Sequence, residues 1–410
     1  MTERVDLAVV GAGAAGLMAA LWARRTHPAR SVLLLDGARS LGAKILVSGG
    51  GRCNVTHHAV DETAFAGSTP KAIRKVLRRF GVPETVAFFR ELGVELKQEE
   101  TGKLFPAGDR ARTVLDALLR GARGAGVEIR HPWRVEDVRR AGASFTLRSG
   151  PGGEIEAGRV VLATGGRSLP RSGSDGGGYA LARALGHTLT PRIVPALVPL
   201  TLPRGHLLCA LSGLSAPATL EVRTAAGRRG ARFTGAVLCT HFGLSGPAVL
   251  DVSRYFIHAR LDDPQASLVA NWLPETTEEQ ADEALRTTTA ARYAGGRLPE
   301  RLARALVAAA GVDWGTPAHR LSRESRRALA RTLTALPLPV TGDRGFTVAE
   351  VTAGGVPLRE LDLDTMESRP CPGLALCGEI CDVDGRIGGF NFQWAWSSGY
   401  VAGIGAANAP

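Results

Sequence analysis

The segment VDLAVVGAGAAGLMAALWARR, residues 5–25, decides the fold of this chain. Its first six residues form a short apolar run that predicts a buried β-strand, and LMAALWARR predicts a helix that ends in basic residues. Between them, Gly11, Gly13 and Gly16 have the G-x-G-x-x-G spacing. Glycines in this spacing permit a tight turn and let a pyrophosphate approach the free N–H groups at the start of the helix.

A second apolar run, SVLLLD, ends in Asp36, about 20 residues after Gly16. A carboxylate at this point accepts hydrogen bonds from an adenosine ribose and repels a 2′-phosphate. A lone glycine motif is a weak signal, but strand, turn, helix, strand and acid in this order are a strong one. The sequence therefore predicts a bound adenine dinucleotide.

Two later runs predict further strands of the same sheet. GRVVLATGG (158–166) and GLALCGEI (373–380) each end in a glycine turn, and they lie far apart in the chain. One sheet interrupted by an insertion explains this arrangement. The last helix, NFQWAWSSGYVAGIGAA, starts directly after Gly388 and Gly389, so we expect its amino terminus to face a second anionic or electron-rich ligand group.

The composition excludes two classes of protein. Six cysteines in 410 residues are too few for a disulfide framework. The apolar stretch at 7–23 contains three glycines, lacks a basic leader and is shorter than the ~20 residues that a membrane span needs. We therefore expect a cytoplasmic protein with no membrane partner. The net charge of +11 favours a polyanionic partner, although such a surplus is also ordinary surface chemistry.

Longer motifs extend the pattern: SGGGRCN (48–54), TGGRSLPRSGSDGGGYALARALGH (164–187), THFGLSGPAVL (240–250), VTAGGV (351–356) and CGEICDVDGRIGGFNFQWAWSSGYVAG (377–403). With them the chain resembles, nearly from end to end, the family of flavoproteins that includes aminoacetone oxidase, bile-acid reductase and ribosomal RNA dihydrouridine synthase members. The resemblance implies an α/β fold, with a Rossmann-like FAD-binding domain of the two-dinucleotide-fold type. It also implies that an inserted β-barrel-like domain with a helical cap interrupts this domain.

The resemblance further implies which residues bind FAD. The glycine motif and Asp36 would hold the ADP half, and the SGGGR segment would line the pyrophosphate, ribityl and isoalloxazine region. The GGFNFQ segment would lie under the pyrimidine edge of the flavin. The implied cofactor-binding residues are Gly11, Gly13, Ala15, Gly16, Asp36, Lys44, Ser48, Gly50, Gly51, Arg52, Asn54, Ala163, Thr164, Gly165, Gly378, Glu379, Gly389, Phe390, Asn391 and Gln393.

In this layout the FAD-binding domain is predicted to cover 1–189 and 347–410. Residues 190–261 and 335–346 predict the inserted β domain, because short alternating segments are broken there by Pro and Gly. Residues 262–334 are helical and polar in pattern and predict the cap. No second G-x-G-x-x-G follows a strand, so reducing equivalents are expected from a transiently docked donor such as NAD(P)H or from another protein.

Cys53 is the candidate for the proton that accompanies hydride transfer to an activated C=C bond. It follows Arg52, and a neighbouring cation lowers the pKa of a thiol. The competing interpretation is that Cys53 packs as a small apolar residue in a crowded turn. His241 is a candidate substrate contact, with a structural hydrogen bond as the alternative. No metal site is expected, because the cysteines lack the usual ligand spacings.

The segment STPKAIRKVLRRF, residues 68–80, predicts an amphipathic helix with one basic stripe. Such a stripe suits the phosphate backbone of RNA, and a solvated face is the alternative. The cations of the stripe are Lys71, Arg74, Lys75, Arg78 and Arg79.

These observations predict an FAD-dependent oxidoreductase that transfers hydride to an activated C=C bond. The best specific prediction is reduction of uridine to dihydrouridine in ribosomal RNA or its precursor. A small-molecule flavoenzyme, either an amine oxidase or a reductase of enone or steroid type, is the first alternative. A non-catalytic FAD-containing RNA-binding or assembly factor is the second.

Overall fold

In the computed structural model, which describes residues 3–150 and 153–408, the opening segment folds as predicted. Strand β1 (Glu3–Val10) leads through the glycine turn into helix α1 (Ala14–Thr26), and strand β2 (Val32–Leu35) follows. All of β2 and the last four residues of β1 are buried, as expected for parallel strands that are covered on both faces. Residues 1–2 and 409–410, the outer ends of the predicted FAD-binding segments, lie outside the described residues.

The chain divides into two units, one formed by the residues up to Pro195 and from Glu350 onward, the other by Ala196–Ala349. The next elements, up to the boundary, are α2 (Ala43–Gly51), β3 (Thr56–His57), β4 (Phe65–Gly67), α3 (Pro70–Leu77), α4 (Val82–Glu91), β5 (Leu96–Gln98), β6 (Lys103–Pro106), α5 (Ala111–Gly124), β7 (Glu128–Arg130), β8 (Asp137–Ala141), β9 (Ser144–Ser149), β10 (Gly153–Leu162), α6 (Gly177–Ala184) and β11 (Val194–Ala196).

The second unit contains β12 (Leu200–Thr201), β13 (Ser215–Arg223), β14 (Arg229–Thr240), β15 (Gly243–Ser245), α7 (Pro247–Asp262), β16 (Ser267–Asn271), α8 (Glu278–Ala284), α9 (Ala290–Gly295), α10 (Glu300–Ala309), α11 (Arg323–Thr334), β17 (Leu336–Leu338) and β18 (Gly342–Asp343). The first unit then resumes with β19 (Val351–Ala353), β20 (Leu361–Asp362), β21 (Glu367–Ser368), β22 (Leu374–Leu376), β23 (Val383–Gly385) and α12 (Phe390–Asn408).

The first unit is built on a parallel sheet with the strand order β7, β2, β1, β10, β22. Val9 in the central strand lies opposite Leu34 on one side and Val161 on the other, and Val161 lies opposite Ala375. The strands predicted from 158–166 and 373–380 are therefore neighbours in one sheet, although the second unit separates them in sequence. Strands β8 and β9 continue from β10 as an antiparallel extension. This arrangement confirms the Rossmann-like α/β fold.

Helix α12 packs directly against α1 through glycines. A Cβ atom added at Gly399 would lie 2.5 Å from the carbonyl oxygen of Ala15, and one added at Gly403 would lie 2.3 Å from that of Ala19. Any larger side chain would force the two helices apart. Although α12 is buried along most of its length, none of the helices in the described part of the chain is long and apolar enough to cross a membrane.

The second unit contains a seven-stranded antiparallel sheet with the order β17, β16, β13, β14, β15, β12, β18. One hydrophobic core joins this sheet to the helices, as Leu220, Val249, Leu302 and Leu333 belong to the same buried cluster. The helices predicted as a cap therefore share their core with the sheet. A closed barrel would pair β17 with β18, and no such pairing is found between the described residues, so the barrel-like part of the prediction is not confirmed.

The contact between α1 and α12 predicts a specific sensitivity to a single methyl group. Gly403→Ala is expected to lower the free energy of unfolding by about 1–3 kcal/mol, because the added Cβ collides with backbone rather than with a mobile side chain. Gly124→Ala, at the end of α5, is the matched control, since nothing lies within 4 Å of its added Cβ. Thermal unfolding of the two variants should show a loss only for Gly403→Ala, and equal midpoints would contradict this packing.

Candidate active site

The carboxyl ends of the parallel strands bring four distant segments together. Gly11 N–H donates to the carbonyl of Leu35 at 2.7 Å, Ala163 N–H to Val10 at 2.9 Å, and Cys377 N–H to Leu162 at 3.1 Å. The segments that follow β1, β2, β10 and β22 therefore meet at one edge of the sheet. In open α/β sheets this edge is where ligands bind.

The three glycines of the first turn differ in how much space a side chain would have at each position. A Cβ atom at Gly16 would lie 1.8 Å from the Gly11 carbonyl oxygen, and one at Gly11 would lie 2.5 Å from that of Ala163. Gly13 is different, because nothing lies within 4 Å of its added Cβ and its φ of −81° suits any residue. Gly13 also precedes α1, whose first turn has no side-chain cap and no acidic residue. This open, uncapped helix start fits a pyrophosphate.

Asp36 is held in position at the end of β2. Its carboxylate accepts hydrogen bonds from the backbone N–H of Ala12 at 2.6 Å and of Ala38 at 2.7 Å. Each carboxylate oxygen has capacity for a second donor, so the side chain can still accept from a ribose hydroxyl.

The segment SGGGRC has a backbone that only glycines adopt without strain. Gly49, Gly50 and Gly51 have φ values of 57°, 69° and 85°, and these residues interrupt the helical geometry that begins at Ala43. Nothing lies within 4 Å of a Cβ atom added at Gly50. The bare backbone that the sequence suggests is therefore required by conformation, and at Gly50 it also faces open space that a ligand can occupy.

The expectation that Arg52 lowers the pKa of Cys53 is wrong. Burial raises the pKa of the Cys53 thiol to about 12, with an opposing hydrogen bond to Ser48, and its side chain belongs to the main hydrophobic core. Arg52 is directed elsewhere, with its guanidinium 2.6 Å from Glu99 and stacked 4.0 Å from the centre of the Phe105 ring. Cys53 also adopts a positive φ of 62°, which is uncommon for a residue with a Cβ atom. The apolar-packing interpretation of Cys53 is the one that the geometry favours.

Lys44 and Glu379 form the main charged contact of the site. The Lys44 ammonium donates to Glu379 at 2.5 Å and to the hydroxyl of Ser168 at 2.7 Å. The second carboxylate oxygen of Glu379 accepts from Ser168 at 2.8 Å and from the Thr352 N–H at 3.1 Å. Sequence reasoning missed Ser168 and Thr352 as partners, although both lie inside quoted motifs, because a motif does not show which of its members touch.

Several buried polar atoms at this edge have no partner among the described residues. They are Asn54 Oδ1, Thr164 Oγ1 and Ser174 Oγ. Buried polar atoms are normally hydrogen-bonded, so we expect a polar ligand or water to bond to these three. Together with the open space at Gly13 and Gly50, they show that the residues present fit a dinucleotide such as FAD.

The start of α12 brings His57, Lys103 and Phe390 together. The rings of His57 and Phe390 stack with centroids 5.0 Å apart, and the Cε atom of Lys103 lies 3.6 Å from the position of a Cβ added at Gly388. A Cβ atom at Gly389 would collide with Thr56 at 2.6 Å. Sequence reasoning did not single out Lys103, because β6 carries it to this helix from another part of the chain.

Two of the predicted cofactor residues on α12 bond to other parts of the protein. Gln393 is fully buried, and its amide oxygen accepts from Thr56 at 2.7 Å and from Thr85 at 3.0 Å. Its amide nitrogen donates to the carbonyl of Phe80 at 2.9 Å. Its assignment to the flavin edge is therefore corrected: Gln393 joins the helix to its neighbours. Asn391 closes the preceding loop by hydrogen bonds to Gly385.

The basic stripe on α3 is partly neutralised. Arg74 lies 3.1 Å from Glu62, and Lys75 and Arg79 lie 2.7 Å and 3.5 Å from Asp364. The helix ends at Leu77, earlier than predicted, so Arg79 lies beyond its last turn. Lys71 and Arg78 are exposed. The stripe is thus less positive than its sequence indicates, because its carboxylate partners come from distant segments.

His241 lies in the exposed turn between β14 and β15, with its ring against Phe242. After this turn and β15, helix α7 begins at Pro247, directly after Gly246. No group of three or more metal-ligating side chains occurs within the ranges 3–150 and 153–408.

A pair of buried carboxylates, Asp382 and Asp384, lies between Glu379 and α12. The two residues are 8% and 2% exposed. Burial, with a smaller contribution from Asp384, raises the pKa of Asp382 to about 6, while Ser68 and Arg359 oppose the shift. Sequence reasoning did not identify this pair, because their burial depends on β23 pairing with β4.

Comparison with known proteins agrees with this geometry. The family described as HI0933-like protein Rossmann domain matches residues 5–405. The chain is 36% identical to the 3-dehydro-bile acid delta(4,6)-reductase of Clostridium scindens, over 98% of this chain and 99% of that protein. It is 34% identical to the ribosomal RNA dihydrouridine synthase of Escherichia coli, over 97% of both chains. The quinol fumarate reductase subunit FrdA of E. coli, at 17% identity, has a similar fold, with a TM-score of 0.54 over 99% of this chain and 70% of that one.

The different surroundings of Gly13 and Gly16 predict that two similar substitutions will fail for different reasons. Gly13→Val is expected to weaken FAD binding by at least about tenfold, or about 1.4 kcal/mol, while the apoprotein keeps its stability. Gly16→Val should lose both, because its side chain would overlap the Gly11 carbonyl. Flavin titration and thermal unfolding of the apoproteins measure the two effects. Normal FAD affinity in Gly13→Val would contradict the placement of the pyrophosphate.

The raised pKa of Asp382 predicts a pH dependence of stability. A carboxyl group whose folded pKa of about 6 exceeds its unfolded value of 3.8 stabilises the fold fully below the unfolded pKa, and this contribution is lost as the pH rises through 6. Asp382→Asn should remove a penalty on the order of 3 kcal/mol at neutral pH. Urea unfolding between about pH 4 and pH 7 measures the change.

Asp364→Asn is the control for Asp382→Asn, because Lys75 lowers the pKa of Asp364 and the sign is reversed. Loss of the Asp364 carboxylate should remove stability only towards neutral pH. If Asp382→Asn leaves the pH profile as steep as in the wild type, the proposed titration of Asp382 is wrong.

Proposed function

The chain belongs to the HI0933-like Rossmann-domain family and is an FAD-dependent oxidoreductase, and from that premise we propose that it reduces a C=C bond conjugated with a carbonyl group. The two named activities among its full-length relatives share this type of bond. A 3-dehydro bile acid with 4,6 unsaturation has its double bonds conjugated with the 3-carbonyl, and uridine has a 5,6 double bond next to a carbonyl. This shared bond is the observation that carries the proposal.

The flavin, when bound, supplies the hydride. We assign the binding of its pyrophosphate to Gly13 and the start of α1, and the binding of the ribose to Asp36. Lys44, held by Glu379, supplies positive charge along the chain that joins the two halves of the cofactor. Following the resemblance, we assign the remaining predicted residues, including Arg52 and Asn54, to the rest of the cofactor, with the exception of Gln393, whose amide is bonded within the protein.

The proton for the second carbon comes from water in this proposal, and not from Cys53. A thiol with a pKa of about 12 is a weak acid at neutral pH, and its burial separates it from substrate. We propose NAD(P)H as a donor that binds only transiently, because the sequence has no second dinucleotide glycine motif.

Uridine in ribosomal RNA is the proposed substrate. It is supported by the two relatives named ribosomal RNA dihydrouridine synthase, at 34% and 30% identity, and by the net charge of +11. A small conjugated enone of steroid type is the second candidate, favoured by the 36% identity to the bile-acid reductase. Amine oxidation is set aside because these relatives are named for reductions. We set aside a non-catalytic factor because these full-length relatives are named for enzymatic activities.

The proposal is tested by deleting the gene and measuring dihydrouridine in ribosomal RNA by mass spectrometry. We expect one or more dihydrouridines to disappear, to return with the wild-type gene, and not to return with Gly13→Val, which is designed to lose FAD. In a parallel assay, protein with chemically reduced flavin is mixed with RNA from the deletion strain or with a steroidal enone. If RNA modification is unchanged in the deletion strain and only the enone reoxidises the flavin, the substrate is the small molecule and not uridine.

A further inference from the structure

A cluster of arginines surrounds one carboxylate on the β13–β14 hairpin of the second unit. Arg223 and Arg229 lie 2.6 Å and 3.7 Å from Glu221. In the strand register Arg232 is opposite Glu221, and Arg223 is opposite Arg229. Glu221 therefore pairs with more than one guanidinium, and Arg223 and Arg229 lie opposite each other on the paired strands.

This arrangement concentrates more positive charge on the hairpin than its one carboxylate can neutralise. Like charges directly opposite in an antiparallel pair are destabilising, and one carboxylate cannot neutralise several cations. Arg228 and Arg232 are exposed, and neither guanidinium has a carboxylate partner among the residues that the structure describes. The exposed fraction of the Arg229 side chain is 74%. We define the basic hairpin by its four arginines, Arg223, Arg228, Arg229 and Arg232.

The packing of the hairpin comes from its other side chains. Leu220 and Val222 belong to the core of the second unit. Phe233 contacts the ring of Tyr255 on α7, with centroids 5.5 Å apart. The fold therefore gains its burial from residues that alternate with the charged ones. The arginines bring a charge cost without a packing gain, so a partner outside the chain is the better explanation for them.

We propose that the basic hairpin binds the phosphate backbone of RNA. Guanidinium groups match phosphate oxygens in paired hydrogen bonds and stay charged at every physiological pH. The turn between the strands carries Ala225, Ala226 and Gly227, which have no large apolar side chain to enter a lipid layer. The neighbouring hydroxyls of Thr219 and Thr234, 2.7 Å apart, add polar groups to the sheet.

Among the described residues, the hairpin and the α3 stripe each leave two cations without a carboxylate partner, but on the hairpin both of them are arginines. On α3 three of the five cations pair with Glu62 or Asp364. On the hairpin two of the four arginines share Glu221, while Arg228 and Arg232 have no carboxylate partner among the described residues. A guanidinium group binds phosphate through paired hydrogen bonds, so the two unpaired arginines of the hairpin suit RNA better than the lysine and arginine left on α3.

This inference rests on the proposed RNA substrate, and direct binding tests it separately from turnover. The probe is a fluorescein-labelled RNA stem-loop, and anisotropy is measured with FAD-loaded protein over a range of salt concentrations. We compare Arg228→Glu/Arg232→Glu with Arg323→Glu/Arg327→Glu, which makes the same charge change at exposed positions of α11 in the same unit. A third pair, Lys71→Glu/Arg78→Glu, represents the α3 stripe.

The hairpin pair should raise Kd by at least about tenfold and reduce the slope of log K against log salt by roughly 1.4–1.8, as expected for two lost phosphate contacts. The α11 pair should change Kd by less than about threefold. An unchanged Kd in the hairpin pair, an equal loss in the α11 pair, or a larger loss in the α3 pair overturns the inference. So does a wild-type protein that binds no RNA.

The proposed function is judged independently by the dihydrouridine content of the deletion strain. If the hairpin pair binds RNA with an unchanged Kd while the deletion strain loses dihydrouridine, the proposed RNA surface is wrong and the proposed function still holds. Flavin absorbance and thermal midpoint of the hairpin pair should match the wild type, because both side chains are exposed. The milder Arg228→Gln/Arg232→Gln pair should give an intermediate Kd, as removal of charge without reversal predicts.

Discussion

The contact between Gly16 and the carbonyl oxygen of Gly11 is the constraint on which the rest of the first unit depends. A side chain at position 16 would occupy the space of that oxygen, so only glycine lets α1 start so close to the end of β1. This placement leaves the first turn of α1 uncapped beside Gly13. It also sets α1 where α12 can pack on it through Gly399 and Gly403. One steric requirement thus aligns α1, which we propose holds the pyrophosphate, with α12, which packs against it.

Charge in the site is organised around fixed carboxylates. Asp36 is held by two backbone N–H groups, and Glu379 is held by Lys44, Ser168 and Thr352. Hydrogen bonds of this kind position an acidic group before any ligand arrives, which lowers the entropy cost of binding. Asp382 differs, because its surroundings favour the neutral form. The segment that follows β22 therefore holds one carboxylate fixed by hydrogen bonds, Glu379, and one buried carboxyl group, Asp382, whose pKa is raised by burial.

The second unit packs a sheet and helices around one core. Its cationic side chains differ in whether they have acidic partners. Several cations in the chain have acidic partners, as Arg326 has in Asp282 at 2.8 Å. The β13–β14 hairpin is an exception, because its arginines outnumber the single Glu221 between them. Net charge alone could not distinguish these situations. The position of the arginines that lack a carboxylate partner indicates where a polyanionic partner can bind.

By itself, the sequence determined the strand, turn and helix at residues 5–25, the acid at Asp36, and the joining of β10 and β22 in one sheet. These features follow from apolar runs and glycine spacing, which act on neighbouring residues through backbone geometry. Only the tertiary structure decided the surroundings of Cys53, Arg52 and Gln393. Burial raises the pKa of the Cys53 thiol, and the Arg52 guanidinium pairs with Glu99. The amide oxygen of Gln393 accepts a hydrogen bond from Thr85. Each outcome depends on a partner that is distant in the chain, and no local pattern contains that partner.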